Sequence, residues 1–222
     1  MRASRSEELE IVGWLGRFGH PVLFRLFREP NEPYWWWGQR CVTSEEYQAA
    51  YAYTYEYIQS RVDNVLWSFS PCNVSTDPTA AFGDWYPGND VVDVLAIDRY
   101  NPNNLELQSE LEADCAALVE FAASTGKVAA FGELGIMGGV QDVKQPAFFS
   151  DSILAPLDSC WRNISYVFFY ANYASDKYWT PLPGQTTADD FAAFAADDRV
   201  VMLDDARWQE LAYAQGQGGE SA

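Results

Sequence analysis

Five short, nearly continuous apolar runs mark this sequence, and segments with helical spacing separate most of them. The runs fall at 22–27, 64–70, 91–97, 128–131 and 164–170. Each is short and lacks helical spacing, so each reads as a buried strand. Helical patterns cover 4–18, 44–61, 104–126 and 188–196, and 138–163 reads as a loop and a helix. In the second helix Ser44 is placed to cap, and Tyr47, Tyr51, Tyr55 and Ile58 recur at spacings of four and three. That stripe reads as a packing face. Gly19 and Gly126 read as helix stops. Alternating helices and uniformly apolar strands predict an α/β fold with a parallel sheet under helices. Function in such folds gathers just beyond the strands' carboxyl ends. There the chain carries Glu29, Asp98 with Tyr100, Glu133 and Asn172.

The first strand leads into the densest stretch of chemistry, PVLFRLFREPNEPYWWWG at 21–38. Residues an even number apart on a strand share a face. Arg25, Phe27 and Glu29 are therefore expected on one side, and Leu26 and Arg28 on the other. The three consecutive rings Trp35, Trp36 and Trp37 sit in a loop between prolines and cannot all be core, so some line a surface or cleft.

The 222 residues suffice for one sizeable core. A net charge of −18 repels nucleic-acid phosphate and argues against nucleic-acid binding. No apolar run approaches the ~20 residues of a membrane span. Cys41, Cys72, Cys115 and Cys160 lack metal-binding spacing, and His20 is the single histidine, so neither a zinc site nor another metal or cofactor is expected. The four cysteines leave three pairings open. With the acceptor patterns at Asn73 and Asn163 they lean toward an oxidising, secreted setting, although four free thiols fit equally. The first ten residues do not have the form of a signal peptide. The Gly/Gln-rich end, 215–222, reads as disordered, within a tail at 206–222.

Phe24, Arg25, Glu29, Asn31, Trp36, Trp37 and Gly38 together resemble the acid/base signature of glycoside hydrolase family 26, best known for β-mannanases. Further motifs follow in order. They are Asn64-Val65-Leu66-Trp67 ahead of Pro71, Trp85-Tyr86-Pro87-Gly88 leading to Asp98-x-Tyr100, and Gly132-Glu133-Leu134-Gly135. Pro181-x-Pro183-Gly184 then precedes Asp190-Phe191. The resemblance runs from Ser4 to about Asp205. Arg28 and Leu26 depart from the family's His and Pro, and Tyr34 stands where a stacking Trp is usual.

The resemblance implies a (β/α)8 TIM barrel, with the strand at Val22 as its fourth and that at Ile164 as its eighth. An ordinary barrel needs ~250 residues. The expected fold is thus a partial barrel, strands four to eight, with residues 1–205 an incomplete catalytic domain. The implied activity is that of a retaining β-1,4-mannanase, with Glu29 as general acid/base, Glu133 as nucleophile and Tyr100 donating to Glu133. Arg25 is the candidate cation beside Glu133, or a structural partner of Asp98 or Asp93. Candidate substrate contacts are Tyr34, Trp35, Trp36, Trp37, Trp85 and Asn172, with Trp179 a further platform. The implied partner is a β-linked polysaccharide and the parent enzyme is implied to be extracellular. A β-glucanase or xylanase on the same scaffold, and an inactive carbohydrate-binding remnant, are the alternatives. Self-association through exposed sheet edges is expected of the chain alone.

Overall fold

A computed structural model describes residues 5–102, 104–173 and 177–207. The expected tail disorder lies outside the described residues. The elements are α1 (Arg5–Phe18), β1 (Val22–Arg25), α2 (Ser44–Gln59), β2 (Val65–Phe69), β3 (Val94–Asn101), α3 (Asn104–Thr125), β4 (Val128–Ile136), β5 (Ile164–Phe169) and α4 (Ala188–Ala195). The strands form one parallel sheet in sequence order, β1-β2-β3-β4-β5. Parallel neighbours need crossovers long enough to hold a helix, which the helical segments between strands supply. This is one arc of the expected barrel, and β1 and β5 lie at its two ends.

The helices cover the outer face. α2 is closed by a capping box: Glu46 N–H donates to Thr43 Oγ1 (3.2 Å), and Thr43 N–H donates to the Glu46 carboxylate (2.9 Å). The cap is therefore Thr43, one residue before the expected Ser44. Tyr47 and Tyr51 are fully buried and meet Phe69 and Trp67 of β2, so the tyrosine stripe is a packing face. α3 buries Leu107, Leu111, Cys115, Leu118 and Ala122, a repeat of four and three. It stops where Gly126 takes φ +69°, which lets Lys127 N–H reach back to the Ala122 carbonyl at 3.0 Å.

Three expectations shift. β3 starts at Val94 and runs on through Asp98 and Tyr100, while β4 runs on through Glu133 to Ile136. The key side chains are thus inside paired strands. The stretch 138–163 forms short 3-10 turns and a single π-helical turn. None of the three complete cysteine pairings is formed: a single disulfide, Cys115–Cys160, ties α3 to the segment before β5, and Cys72 (buried) and Cys41 (exposed) remain free thiols. Asn73 of the first acceptor pattern has its side chain bonded to Glu32 and Arg99.

The inner face is thinner. Val94, Ala96 and Ala130 form a small cluster under Tyr166. Leu23 and Leu66, which also face inward, and Phe168 are 41 %, 49 % and 50 % exposed. No described helix is long and apolar enough to cross a membrane.

Candidate active site

The site is built at the carboxyl ends of β1, β3 and β4. β1 stops at Arg25, and the chain then twists out of the strand. Phe27 and Glu29 both take left-handed backbone, φ 46° and 53°. Each such non-glycine residue costs ~1–3 kcal/mol, so neighbours must hold it. Glu29 N–H donates to the Ser70 carbonyl (2.6 Å), Tyr47 Oη–H to the Phe27 carbonyl (3.2 Å) and Trp37 Nε1–H to the Arg28 carbonyl (2.8 Å). Asn31 clamps the loop to the end of β2, giving its amide N–H to the Cys72 carbonyl (2.6 Å) and accepting from Cys72 N–H (2.9 Å). Gly38 closes the loop; a β-carbon there would run into the Glu32 carbonyl oxygen.

On the other side of the site, the register of β3 and β4 slips between Ile97 and Asp98. Ile97 pairs with Phe131, but Asp98 pairs with Glu133, leaving Gly132 as the extra residue. The bulge keeps Glu133 turned inward, beside Asp98 and Tyr100.

The functional groups then interlock. Glu29 and Glu133 are each 3 % exposed and Asp98 is fully buried. One oxygen of each of the three lies within 4.8 Å of the others. Two charges at ~4 Å repel by ~4 kcal/mol at an effective dielectric near 20, so this cluster needs cations. Two arginines supply them. Arg25 Nη1 donates to both Asp98 oxygens (2.8 and 3.0 Å), and its Nη2 donates to Glu133 Oε1. Arg25 thus contacts both Glu133 and Asp98, the partners of its two expected alternatives. Arg28 Nη1 lies 3.0 Å from Glu29 Oε2 and 3.1 Å from Glu133 Oε1. Strand alternation had placed Arg28 on the opposite face from Glu29. The correction follows from the two left-handed residues, which end the strand geometry on which alternation rests.

Tyr100 Oη–H donates to Glu133 Oε2 at 3.0 Å. Burial, then the Glu133 carboxylate, push the Tyr100 phenol well above its ordinary value, so it stays protonated as a donor. Glu29 Oε2 also accepts from Tyr34 Oη–H (3.2 Å) and Trp35 Nε1–H (2.9 Å). Burial pushes the Asp98 carboxyl up; Arg25 opposes this, Glu133 adds to it, and Ser70 Oγ–H donates to it at 2.6 Å.

The structure thus brings together Glu29, Glu133, Tyr100, Arg25, Tyr34 and Trp35. Trp36 is 65 % exposed and Tyr34 is 62 % exposed. Trp37 stacks on Trp35 at 4.9 Å. Trp85, expected at the substrate, is instead buried with its ring against Tyr47. It contributes to the wall of a cavity of about 510 Å³ that Asn31, Glu32, Asn73, Tyr100 and Glu110 also line. Asn172, likewise expected at the substrate, instead bonds its own loop, to the Thr180 carbonyl and the Trp179 and Thr180 N–H groups. Trp179 is buried. Asp98, read in the sequence as a carboxylate beyond an apolar run and a possible partner of Arg25 but given no catalytic role, joins the cluster, and so does Arg28, which strand alternation placed on the other face.

Two buried carboxylates facing each other at the carboxyl end of a parallel sheet are the arrangement used by barrel-type glycoside hydrolases. The profile of glycosyl hydrolase family 26 matches residues 10–150, and the chain belongs to that family. A mannan endo-1,4-β-mannosidase of Bifidobacterium adolescentis is 28 % identical over 82 % of this chain, which covers 20 % of that protein. The structure of a modular endo-β-1,4-mannanase from Cellulomonas fimi superposes with a TM-score of 0.79 at 28 % identity, over 89 % of this chain and 48 % of that one. A family 26 β-mannanase from Bacteroides ovatus gives 0.82 at 26 % identity, over 90 % and 58 %. The five-stranded sheet is a partial TIM barrel, and the chain spans between 20 % and 58 % of the length of these relatives.

Proposed function

We propose that this chain carries the reacting carboxylates of a retaining glycoside hydrolase that cleaves mannan or a related β-1,4-linked polysaccharide. The observation that carries the reading is the approach of one carboxylate oxygen of Glu29 and one of Glu133 to within 4.8 Å. That is near the ~5–5.5 Å of retaining pairs and short of the ~6.5–9.5 Å that admits an inverting water. Glu133, oriented by Tyr100 and Arg25, attacks the anomeric carbon. The glycosidic C–O bond breaks as Glu29 passes its proton to the leaving oxygen, and a glycosyl ester on Glu133 results. Glu29 then takes a proton from water as that water attacks the ester, which restores both carboxyl groups. Exposed Tyr34 and Trp36 offer flat rings to the apolar faces of pyranose units.

The Cys115–Cys160 disulfide supports an oxidising, extracellular setting for the parent enzyme. We assign residues 1–205 to one incomplete catalytic domain. The half-exposed Leu23, Leu66 and Phe168 favour a second reading for the chain by itself, a carbohydrate-binding or inactive fragment. Digestion of mannan, glucomannan, xylan and mixed-linkage glucan, with product stereochemistry followed by NMR, tests both. Release of β-configured manno-oligosaccharides supports the hydrolase. Binding without cleavage supports the fragment, and inversion at the anomeric carbon rejects the mechanism.

A further inference from the structure

Arg28 is the cleft residue whose direction strand geometry does not explain. Left-handed backbone on both sides of it, at Phe27 and Glu29, turns the consecutive side chains 28 and 29 toward one another. Arg28 Nη1 then stands 3.0 Å from Glu29 Oε2 and 3.1 Å from Glu133 Oε1, so a single nitrogen spans the pair. The guanidinium carbon lies over Trp35, 4.6 Å from the ring centroid. Trp35 is stacked on Trp37, whose Nε1–H donates to the Arg28 carbonyl. Side chain and backbone of Arg28 are therefore held by the same ring stack. Arg25 does not duplicate this bridge, because its Nη1 is committed to Asp98 and its Nη2 reaches Glu133 alone.

We propose that Arg28 is a positioning residue that sets the separation and orientation of Glu29 and Glu133. The proposal rests on the reading of these two as the reacting pair. Carboxylate separation decides whether the second group attacks carbon or activates water, so the residue that fixes it governs the reaction course. Bridging with a flat cation also explains the neighbouring Trp35. A guanidinium stacks on an aromatic face while donating in its plane, whereas an ammonium is a point charge that holds no such orientation.

The test uses the full chain and begins without substrate. Carboxyl-carbon NMR of Glu29 and Glu133, assigned through Glu29→Gln and Glu133→Gln, is compared for wild type, Arg28→Ala and Arg28→Lys. Arg28→Ala is expected to move both resonances, and added guanidinium ion to return both, while equimolar urea does neither. Arg28→Lys is expected to move them less. On an aryl manno-oligosaccharide, Arg28→Ala is expected to lose ~10²-fold in kcat with KM within about twofold, and guanidinium to recover part of the loss. Movement of one resonance or none overturns the proposal. So does an Arg28→Ala variant with lowered KM that guanidinium inhibits, since Arg28 would then merely cover the cleft. If wild type cleaves no glycan, the substrate-free resonances alone decide the role of Arg28, and the two readings stand or fall separately.

Discussion

Asp98 and Gly132 face each other across β3 and β4 so closely that a β-carbon on residue 132 would lie 2.8 Å from Asp98 Oδ1. The same atom would meet Ser70 Oγ at 3.0 Å and the Ala96 β-carbon at 3.1 Å. The bulge that aims Glu133 inward thus depends on a residue without a side chain. Gly132→Ala is expected to push Asp98 off Arg25 and to destabilise the fold by ~1–3 kcal/mol, as overpacked interiors do. Urea denaturation checks this; a midpoint unchanged from wild type would show that the strands can part without cost.

The two carboxylates are expected to fail differently. Glu133→Ala removes the proposed nucleophile and should abolish turnover of every substrate. Glu29→Ala removes the proposed proton donor and should spare glycosides whose leaving group needs no proton. Steady-state rates on an aryl glycoside and on polysaccharide separate the cases. An equal loss on both in Glu29→Ala would reject the assignment.

High pH should unfold the protein through its tyrosines. Burial raises the phenols of Tyr47, Tyr51 and Tyr100 well above their ordinary value, and that of Tyr86 to about 12. Near pH ~10 the unfolded chain releases these protons while the folded chain keeps them. The unfolded state then binds fewer protons than the native state, so stability falls as pH rises beyond that point and is unaffected by these groups well below it. Ultraviolet titration should show a late phenolate step that coincides with loss of near-ultraviolet circular dichroism. A single titration near the ordinary tyrosine value with the fold intact would contradict this.

The chain alone is expected to associate. β1 and β5 end the sheet, and half-exposed Leu23 and Leu66 lie on its inner face. Unpaired backbone beside apolar side chains is a template for strand addition. Sedimentation at several concentrations should show growth beyond the monomer. A monodisperse monomer that unfolds cooperatively would show that the open edges are tolerated.

Much of this architecture is written locally. Apolar runs and helical stripes set which segments become strands and which become helices, because period and polarity act over a few residues. Glu29, Glu133 and Tyr100 were legible because each stands in a motif just beyond an apolar run. The ends of β3 and β4 were not, because Asp98, Arg99 and Glu133 look like loop residues until partners cover their charges. Arg99 is nearly fully buried because Asp114 meets its guanidinium at 2.5 and 2.7 Å, and Asn73 and Ser75 add acceptors at 2.8 Å. No local pattern announces those contacts.

By itself, then, the sequence determined the alternation of elements, the parallel sheet and the two carboxylates at its carboxyl end. Tertiary structure alone decided what surrounds them. The left-handed turns at Phe27 and Glu29, held by Ser70, Tyr47 and Trp37, bring Arg28 between the carboxylates against the alternation of its strand. The register slip at Gly132 aligns Glu133 with Asp98. Both are strained or irregular backbone states, and such states persist only where contacts from distant segments outweigh their local cost.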